Sequence, residues 1–458
     1  MSNKEDKNPW IKAYRSQVNV LETYPENIAL VDTENNGENK LIVAEQKKRL
    51  AYYKGTLIEW EEKLAAQPSA LGCFYMEVPK SKNIPIIAVA CEKFIYSFKK
   101  KQNFIRLEMP HRSVTSSELA LWKEYNGDDE GLNTFLMALN SLKNNGVTLS
   151  YQSLNILMLE SQKEQLGFYH RSKDIEPKIF DNATCMCSLR ASVDEEGQAS
   201  NLVVGTEFGA LLILSNTADE ILHNYQLEET PIKMIPQGTL EGAYNIYVLA
   251  RNMKLFVFSR GETHTRVNLA AESLSFLKIG NCFFVGYYEG NIDCLTAKGL
   301  TKLRSINLTS ELVCMETMHY SKLNETKGLI VALKNKELRI YDKKGVTLLN
   351  KIQLDDIVIC MKFGKIGRED GCLFLCYKTT GIEILIQKRE FCQNMSAFQT
   401  IQNEEEKLIK LPEKSKFFLE QLEADKERAS EIYTTYQKDI IKMKLLVNEN
   451  YEKMLSKG

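Results

Sequence analysis

Residues 329–341, LIVALKNKELRIY, read as an apolar run closing on a small residue, a short polar turn, and a second run of alternating apolar side chains. Two such runs around a tight turn are the signature of a β-hairpin. The outline returns at 40–53 (KLIVAEQKKRLAYY), 84–98 (IPIIAVACEKFIYSF), 201–214 (NLVVGTEFGALLIL), 244–258 (YNIYVLARNMKLFVF), 282–295 (CFFVGYYEGNIDCL) and 372–386 (CLFLCYKTTGIEILI), seven copies in all. The small residues closing each first run, Ala44, Ala90, Gly205, Ala250, Gly286, Ala332 and Cys376, are spaced by 46, 115, 45, 36, 46 and 44 residues. A four-stranded propeller blade takes about 40–45 residues, so five intervals hold one blade each and the sixth carries an insertion. Small residues at one strand position suit blades that crowd toward an axis. The expected fold is therefore all-β, a seven-bladed β-propeller with a helical insertion between blades 2 and 3 and a long C-terminal α-helix; seven unrelated hairpins in a large sandwich are the alternative.

Each unit also supplies the two further strands that a blade needs. Inner strands are expected at 73–78, 184–189, 231–235, 274–279, 312–318 and 357–363, and outer strands at 104–109, 221–226, 264–269, 302–307 and 347–353. No Gly-His or Trp-Asp repeat signature accompanies them, so the assignment rests on periodicity. Residues 1–17 read as disordered and 18–395 as the ring. Within the ring, 18–23 (VNVLET) is an apolar stretch with no hairpin of its own, expected to complete blade 7 and remove a free sheet edge. Deleting residues 1–25 should then lower the melting temperature.

The long interval contains the capping-box pattern Thr115-x-x-Glu118 and three amphipathic stretches, ending near Tyr125, Leu142 and Leu166. This predicts three helices within an excursion over 111–180, which either shields a blade edge or docks a partner. A linker is expected over 396–414 and a helix over 415–458, with Phe418, Leu422, Ala429, Ile432, Tyr436, Ile440, Met443, Val447, Tyr451 and Met454 at helical steps. Such a stripe needs a partner. At about 60 Å the helix is too long to lie wholly on one small ring, so it pairs with another subunit or leads to a further domain.

Charge and chemistry narrow the function. Lys and Arg total 59 against 60 Asp and Glu, which leaves no global field to attract nucleic acid. Eleven cysteines, an odd number scattered through strands, read as buried hydrophobes of a reducing compartment. The first residues show no secretory pattern and no apolar run spans a bilayer, so a soluble, cytoplasmic protein is expected. The five histidines (His111, His170, His223, His264, His319) complete no catalytic or zinc motif. Cys185 and Cys187 share a strand face, but a metal would need two more ligands. No catalytic residue, cofactor or metal is expected. Asp32-Thr-Glu-Asn-Asn36-Gly37 and Asp194-Glu-Glu-Gly197 are open to two readings, a calcium-binding turn or a simple Asx/Gly turn, with the second favoured.

Residues 363–370, FGKIGRED, directly precede the last hairpin. Together with ALVDTENNGENKLIVAE (29–45), LVVGTEFGALLIL (202–214), ALKNKELRIY (332–341) and the helical insertion, this run resembles the Bardet-Biedl syndrome 1 family of BBSome subunits over essentially the whole chain. The resemblance implies a non-enzymatic coat subunit that supports cilium assembly and the traffic of ciliary membrane proteins. Its implied partners are other BBSome subunits, a GTP-bound Arf-like small GTPase and the cytoplasmic tails of ciliary membrane proteins. Membrane association would be peripheral and through partners, in the cytoplasm, cilium, ciliary basal body and ciliary membrane. In that family blades 1 and 7 receive the GTPase, which here directs attention to loops 32–38 and 367–370 on one face, and 46–49 with 378–380 on the other. Arg368, Glu369 and Asp370 are the favoured contacts, with Asp32, Asn36 and Glu38 beside them; the alternative is that Arg368 and these acids only pair with each other. The family carries a further ear-like β-sandwich after the long helix, and contacts made by that portion are not implied for residues 1–458. Rival readings are a generic peptide-binding scaffold and a propeller enzyme with ligands lining its channel.

Overall fold

The computed structural model describes residues 9–16, 20–77, 84–192, 199–297, 299–321, 325–388 and 415–456. The chain divides into two units, Met1–Lys388 and Arg389–Gly458, each considered by itself. In the first, seven four-stranded antiparallel sheets stand around an axis. Blade 1 comprises Ile28–Val31, Lys40–Glu45, Arg49–Lys54 and Leu57–Lys63; blades 2 to 6 start at Pro68–Met76, Ala183–Arg190, Pro231–Gly238, Ser273–Ile279 and Leu312–Tyr320. Blade 7 is Val358–Ile366, Glu369–Tyr377 and Ile382–Gln387, with Trp10–Ser16 as its outermost strand. Inner strands pack blade to blade around the ring, and blade 7 packs on blade 1. The apolar faces thereby become inter-blade seams. The seam between blades 1 and 7 buries Leu41, Tyr53, Phe374 and Ile382 completely, each side chain stabilising by about 1.5–3 kcal/mol.

Ring closure corrects the sequence reading. The strand that completes blade 7 is Trp10–Ser16, inside the segment expected to be disordered, and not residues 18–23. Its pattern is hard to read because it is an edge strand: only Trp10 is buried, Ile11 and Tyr14 are exposed, and a bulge follows Lys12. The apolar character of 18–23 has another cause. Leu21 is buried in the seam between blades 1 and 7, and the Thr23 hydroxyl donates to the Ala44 carbonyl at 2.8 Å. The small-residue ruler also needs one change. Pairing sets Ala70 opposite Ala90, Cys185 opposite Gly205, Ser275 opposite Gly286, Cys314 opposite Ala332 and Cys360 opposite Cys376, but Lys233 opposite Leu249. Leu249, not Ala250, holds the equivalent place in blade 4; spacing alone does not report register.

The excursion leaves the ring through a two-stranded staple, His111–Ser113 with Lys178–Phe180. It contains four helices: α1 (Ser116–Glu124), α2 (Asp129–Asn144), α3 (Tyr151–Met158) and α4 (Gln162–Ser172). The third expected helix is thus two, because backbone at Leu159 and Ser161 is extended and Ser161 starts a new helix. The capping box is also reassigned. Thr115 makes no side-chain cap, whereas the fully buried Glu118 carboxylate accepts the Ser150 N–H (2.9 Å) and the Ser150 and Ser153 hydroxyls (2.5 and 2.6 Å) at the start of α3. A carboxylate is favoured there because helix N-termini carry unsatisfied N–H groups and partial positive charge.

Asp356 locks blade 7 from the opposite face. Its carboxylate accepts the Thr379 and Thr380 N–H groups (2.8 and 3.2 Å), the Thr379 hydroxyl (2.7 Å) and the Ile357 N–H (2.7 Å). Burial alone would raise its pKa, but these donors outweigh it and hold the carboxyl at about 2. Since the folded value lies below the unfolded one, the stabilisation is complete above about pH 4 and is lost as the pH falls from there through the folded pKa. Asp356→Asn is expected to cost about 2 kcal/mol at pH 7 and to lose that acid dependence. Urea melts of both proteins at pH 7 and pH 3 check it; an equal difference at both pH values would contradict the assignment.

The second unit contains α5, Ser415–Leu455. Among the described residues no helix is long and apolar enough to cross a membrane.

Candidate partner-docking site

Successive antiparallel strands alternate in direction, so the first and third turns of every blade share one face of the ring. On that face the first turn of blade 1, Asp32 to Asn39, meets the first turn of blade 7. The two are joined by backbone: the Asn39 N–H donates to the Gly367 carbonyl at 2.9 Å, and the Gly367 N–H to the Asn39 carbonyl at 2.8 Å. Gly367 sits at φ +61°, as the first central residue of a two-residue hairpin loop between Ile366 and Glu369. Type II′ hairpin turns place glycine there because the conformation penalises a Cβ. The turn projects Arg368 outward with three-quarters of its side chain exposed, and its Nε lies 2.9 Å from Glu38 Oε1.

The six expected residues therefore come together on one face, in different roles. Asp32 is spent on its own loop, its oxygens accepting the Gly37 N–H (2.6 Å) and the Asn36 N–H (3.1 Å). Asn36 accepts the Glu38 N–H (2.8 Å) and donates to Glu34 (3.2 Å). This is the geometry of an Asx/Gly turn, and the described residues place no group of three or more His, Cys, Asp or Glu side chains here that could hold a metal ion. The Asp194 loop lies outside the described residues. Asp370 is half-buried and accepts the Gly371 N–H at 3.0 Å, while Glu369 is exposed at the start of its strand. Arg368, Glu38 and Glu369 thus form the accessible charge. The Arg368–Glu38 pair is exposed, worth under about 1 kcal/mol, and a partner's carboxylate can replace Glu38 at little cost.

Sequence reasoning missed what holds and extends this face. Lys40 is buried and reaches Glu34 at 2.5 Å and Glu59 at 2.9 Å; Lys101 of blade 2 also meets Glu59, at 3.0 Å. Burial opposes the Lys40 charge, yet its bonds to Glu34 and Glu59 outweigh this and raise its pKa, and Lys40 in turn holds the Glu59 carboxyl below its usual range. The network pins the 32–39 loop to the body of blades 1 and 2. Beside Arg368 opens a groove of about 350 Å³, walled by Tyr14, Leu57, Ile366, Ile384 and Ile386. Leu57 is 75% and Tyr14 57% exposed. Exposed apolar surface beside charged residues is typical of protein interfaces. Leu57 and Tyr14 lie on two outer strands that the sequence reading did not assign, Leu57–Lys63 and Trp10–Ser16.

Inner strands also carry charge, held in ion pairs. Lys362 lies 3.0 Å from Glu316, and Lys233 3.1 Å from Glu26. Glu316 holds the Lys362 ammonium's pKa up, which opposes any role as a base. Burial raises the Cys185 thiol to about 12 and Cys187 well above its usual value, keeping both protonated within the seam of blades 3 and 4. The described residues contain no cluster of three or more His, Cys, Asp or Glu side chains that could hold a metal.

Residues 10–259 match the family described as ciliary BBSome complex subunit 1. The chain is 26% identical to the Mus musculus protein named BBSome complex member BBS1 over 462 residues, covering 98% of this chain and 77% of the relative. The Homo sapiens protein of the same name is 27% identical over 458 residues, at 98% and 76% coverage. Among solved structures, the crystal structure of BBS1N in complex with ARL6DN, soaked with mercury, is similar at TM-score 0.66 and 25% identity, covering 83% of this chain and 98% of that one. The lead-soaked crystal of the same complex gives the same values.

Proposed function

The chain belongs to the ciliary BBSome complex subunit 1 family, and from that membership we propose that it is a BBSome coat subunit whose propeller recruits a GTP-loaded Arf-like small GTPase. The similar BBS1N chain was crystallised in complex with ARL6DN, which supports this choice of partner. The observation that carries the reading to particular residues is the stitched face of blades 1 and 7. There Asn39 and Gly367 hold two loops in register, and Arg368 stands exposed over Glu38 beside an apolar groove. A rigid backbone seam, an exchangeable arginine and adjacent apolar surface suit a partner with a polar rim and an apolar centre. In this reading the role is non-enzymatic: other BBSome subunits complete the coat, membrane association is peripheral and runs through the GTPase, and the cargo is the cytoplasmic tails of ciliary membrane proteins. The protein then acts at the cilium, its basal body and the ciliary membrane.

The test is a pull-down with an Arf-like GTPase loaded with a GTP analogue or with GDP. The chain is expected to retain the GTP form preferentially. Arg368→Glu, which sets a like charge against Glu38, should weaken retention about tenfold or more with an unchanged melting temperature. Equal capture of both nucleotide forms by a folded chain would favour the generic scaffold.

A further inference from the structure

The helical excursion between blades 2 and 3 carries its own core. Trp122, Phe135, Leu139, Ile156 and Tyr169 bury one another, and among the described residues no blade residue belongs to that cluster. Two sets of polar and aromatic contacts tie the excursion to the ring. At the first, Asp181, just after the staple, accepts the Thr206 hydroxyl (2.7 Å) and the Phe208 N–H (2.9 Å), and the Arg112 guanidinium lies 4.8 Å from the Phe208 ring centre. At the second, Glu92 and Lys93 form the two-residue turn between paired Cys91 and Phe94, at the tip of the blade 2 hairpin. Tyr151, the first residue of α3, donates its hydroxyl to Glu92 at 3.1 Å. Lys93 Nζ stands 4.9 Å from the Phe180 ring centre, 5.2 Å from that of Phe94 and 5.8 Å from that of Tyr151. All three lie within the range of cation–π attraction. The rings belong in turn to the staple, to blade 2 and to α3, so one ammonium joins three elements.

We infer that Lys93 is a charge-operated latch: its ammonium, shared among the three rings, holds the helical excursion against blade 2, and without that charge the excursion swings about its staple. The blade side of the latch is fixed independently of the ammonium. The Lys93 carbonyl accepts the Met109 N–H at 2.8 Å, and the Arg106 guanidinium lies 4.5 Å from the Phe94 ring centre. Attraction to a ring face depends on the charge of the side chain and not on its bulk. A neutral side chain of equal length therefore keeps the packing and removes the hold. Both sets of contacts use the second turns of their blades, which lie on the face opposite Arg368, so the latch acts away from the docking face.

Nitroxides carried on genetically encoded ketone side chains at Met137 of α2 and Leu303 of blade 5, both exposed, report the position of the excursion in the full chain by double electron–electron resonance. The parent chain and Lys93→Arg, which keeps the charge, are expected to give one narrow distance distribution. Lys93→Met should broaden it about twofold or more with the melting temperature of the ring unchanged. A distribution as narrow in Lys93→Met as in the parent overturns the proposal. So does equal broadening in Lys93→Arg and Lys93→Met, which would make the role one of shape. Should Lys93→Met also lower the melting temperature, Tyr151→Leu, made on the excursion side, decides: broadening there supports the latch and a narrow distribution overturns it.

Discussion

A chain lacking residues 1–16 is expected to melt roughly 5–10 °C lower than the intact one and to lose GTPase retention with it. The strand Trp10–Ser16 pairs with Ile382–Gln387 at six positions, interrupted by one bulge. Trp10 is 4% exposed and stands edge-on to Phe363 at 6.3 Å, and Phe363 in turn meets Tyr320 of blade 6 at 5.2 Å. Losing such an aromatic anchor alone costs about 3–5 kcal/mol. The same strand brings Arg15 to 2.6 Å from Asp355 and Lys12 to 3.9 Å from Glu383, whose carboxylate also accepts the Tyr377 hydroxyl at 2.6 Å. Without it, Ile382–Gln387 becomes a bare sheet edge open to pairing with other chains. The functional loss follows from position: Tyr14 walls the groove beside Arg368. Calorimetry on both proteins decides the matter. An unchanged transition would mean that the ring is shut by blade packing alone.

Gly205→Val should destabilise the ring by about 3 kcal/mol, at the upper end of overpacking costs. A Cβ at Gly205 would lie 2.6 Å from Pro231 Cγ and 2.9 Å from Cys185 Sγ, closer than real contacts allow. The proline ring cannot rotate away, and Cys185 is held in its strand directly opposite. Gly286 is crowded as tightly, 2.4 Å from Leu312 Cδ2 and 2.7 Å from Met315 Cε, but those neighbours can change rotamer. Valine at 286 should therefore cost less than valine at 205. Urea midpoints of the two variants measure the order directly. A larger loss at 286 would show that seam plasticity, not Cβ distance, governs these positions.

The two outcomes bear on what could be read without coordinates. Hairpin recurrence and the small-residue spacing were legible because both are local: alternation follows the strand repeat, and crowding toward the axis selects Gly, Ala or Cys at one place in most blades. The blade 4 register was not legible, since Lys233 faces Leu249 through a bulge that spacing cannot report. The candidate site was half legible. Loop composition marked Asp32, Asn36 and Gly367 as turn residues, and charge marked Arg368, Glu369 and Asp370. That Asp32 is consumed by its own loop, and that Lys40 ties this loop to Glu59, are products of folding.

From its order of residues alone this chain is bound to make seven hairpins, a helical excursion and a long amphipathic helix, because periodicity and turn chemistry act over a few neighbours. Which strand shuts the ring, which helix Glu118 caps, and which residues of two distant turns become one surface were decided only in three dimensions. The closing strand and the joined turns link positions more than three hundred residues apart, so their energy exists only after every intervening blade has packed, and the Glu118 cap, though only 32 residues long in sequence, forms only once α1 meets α3.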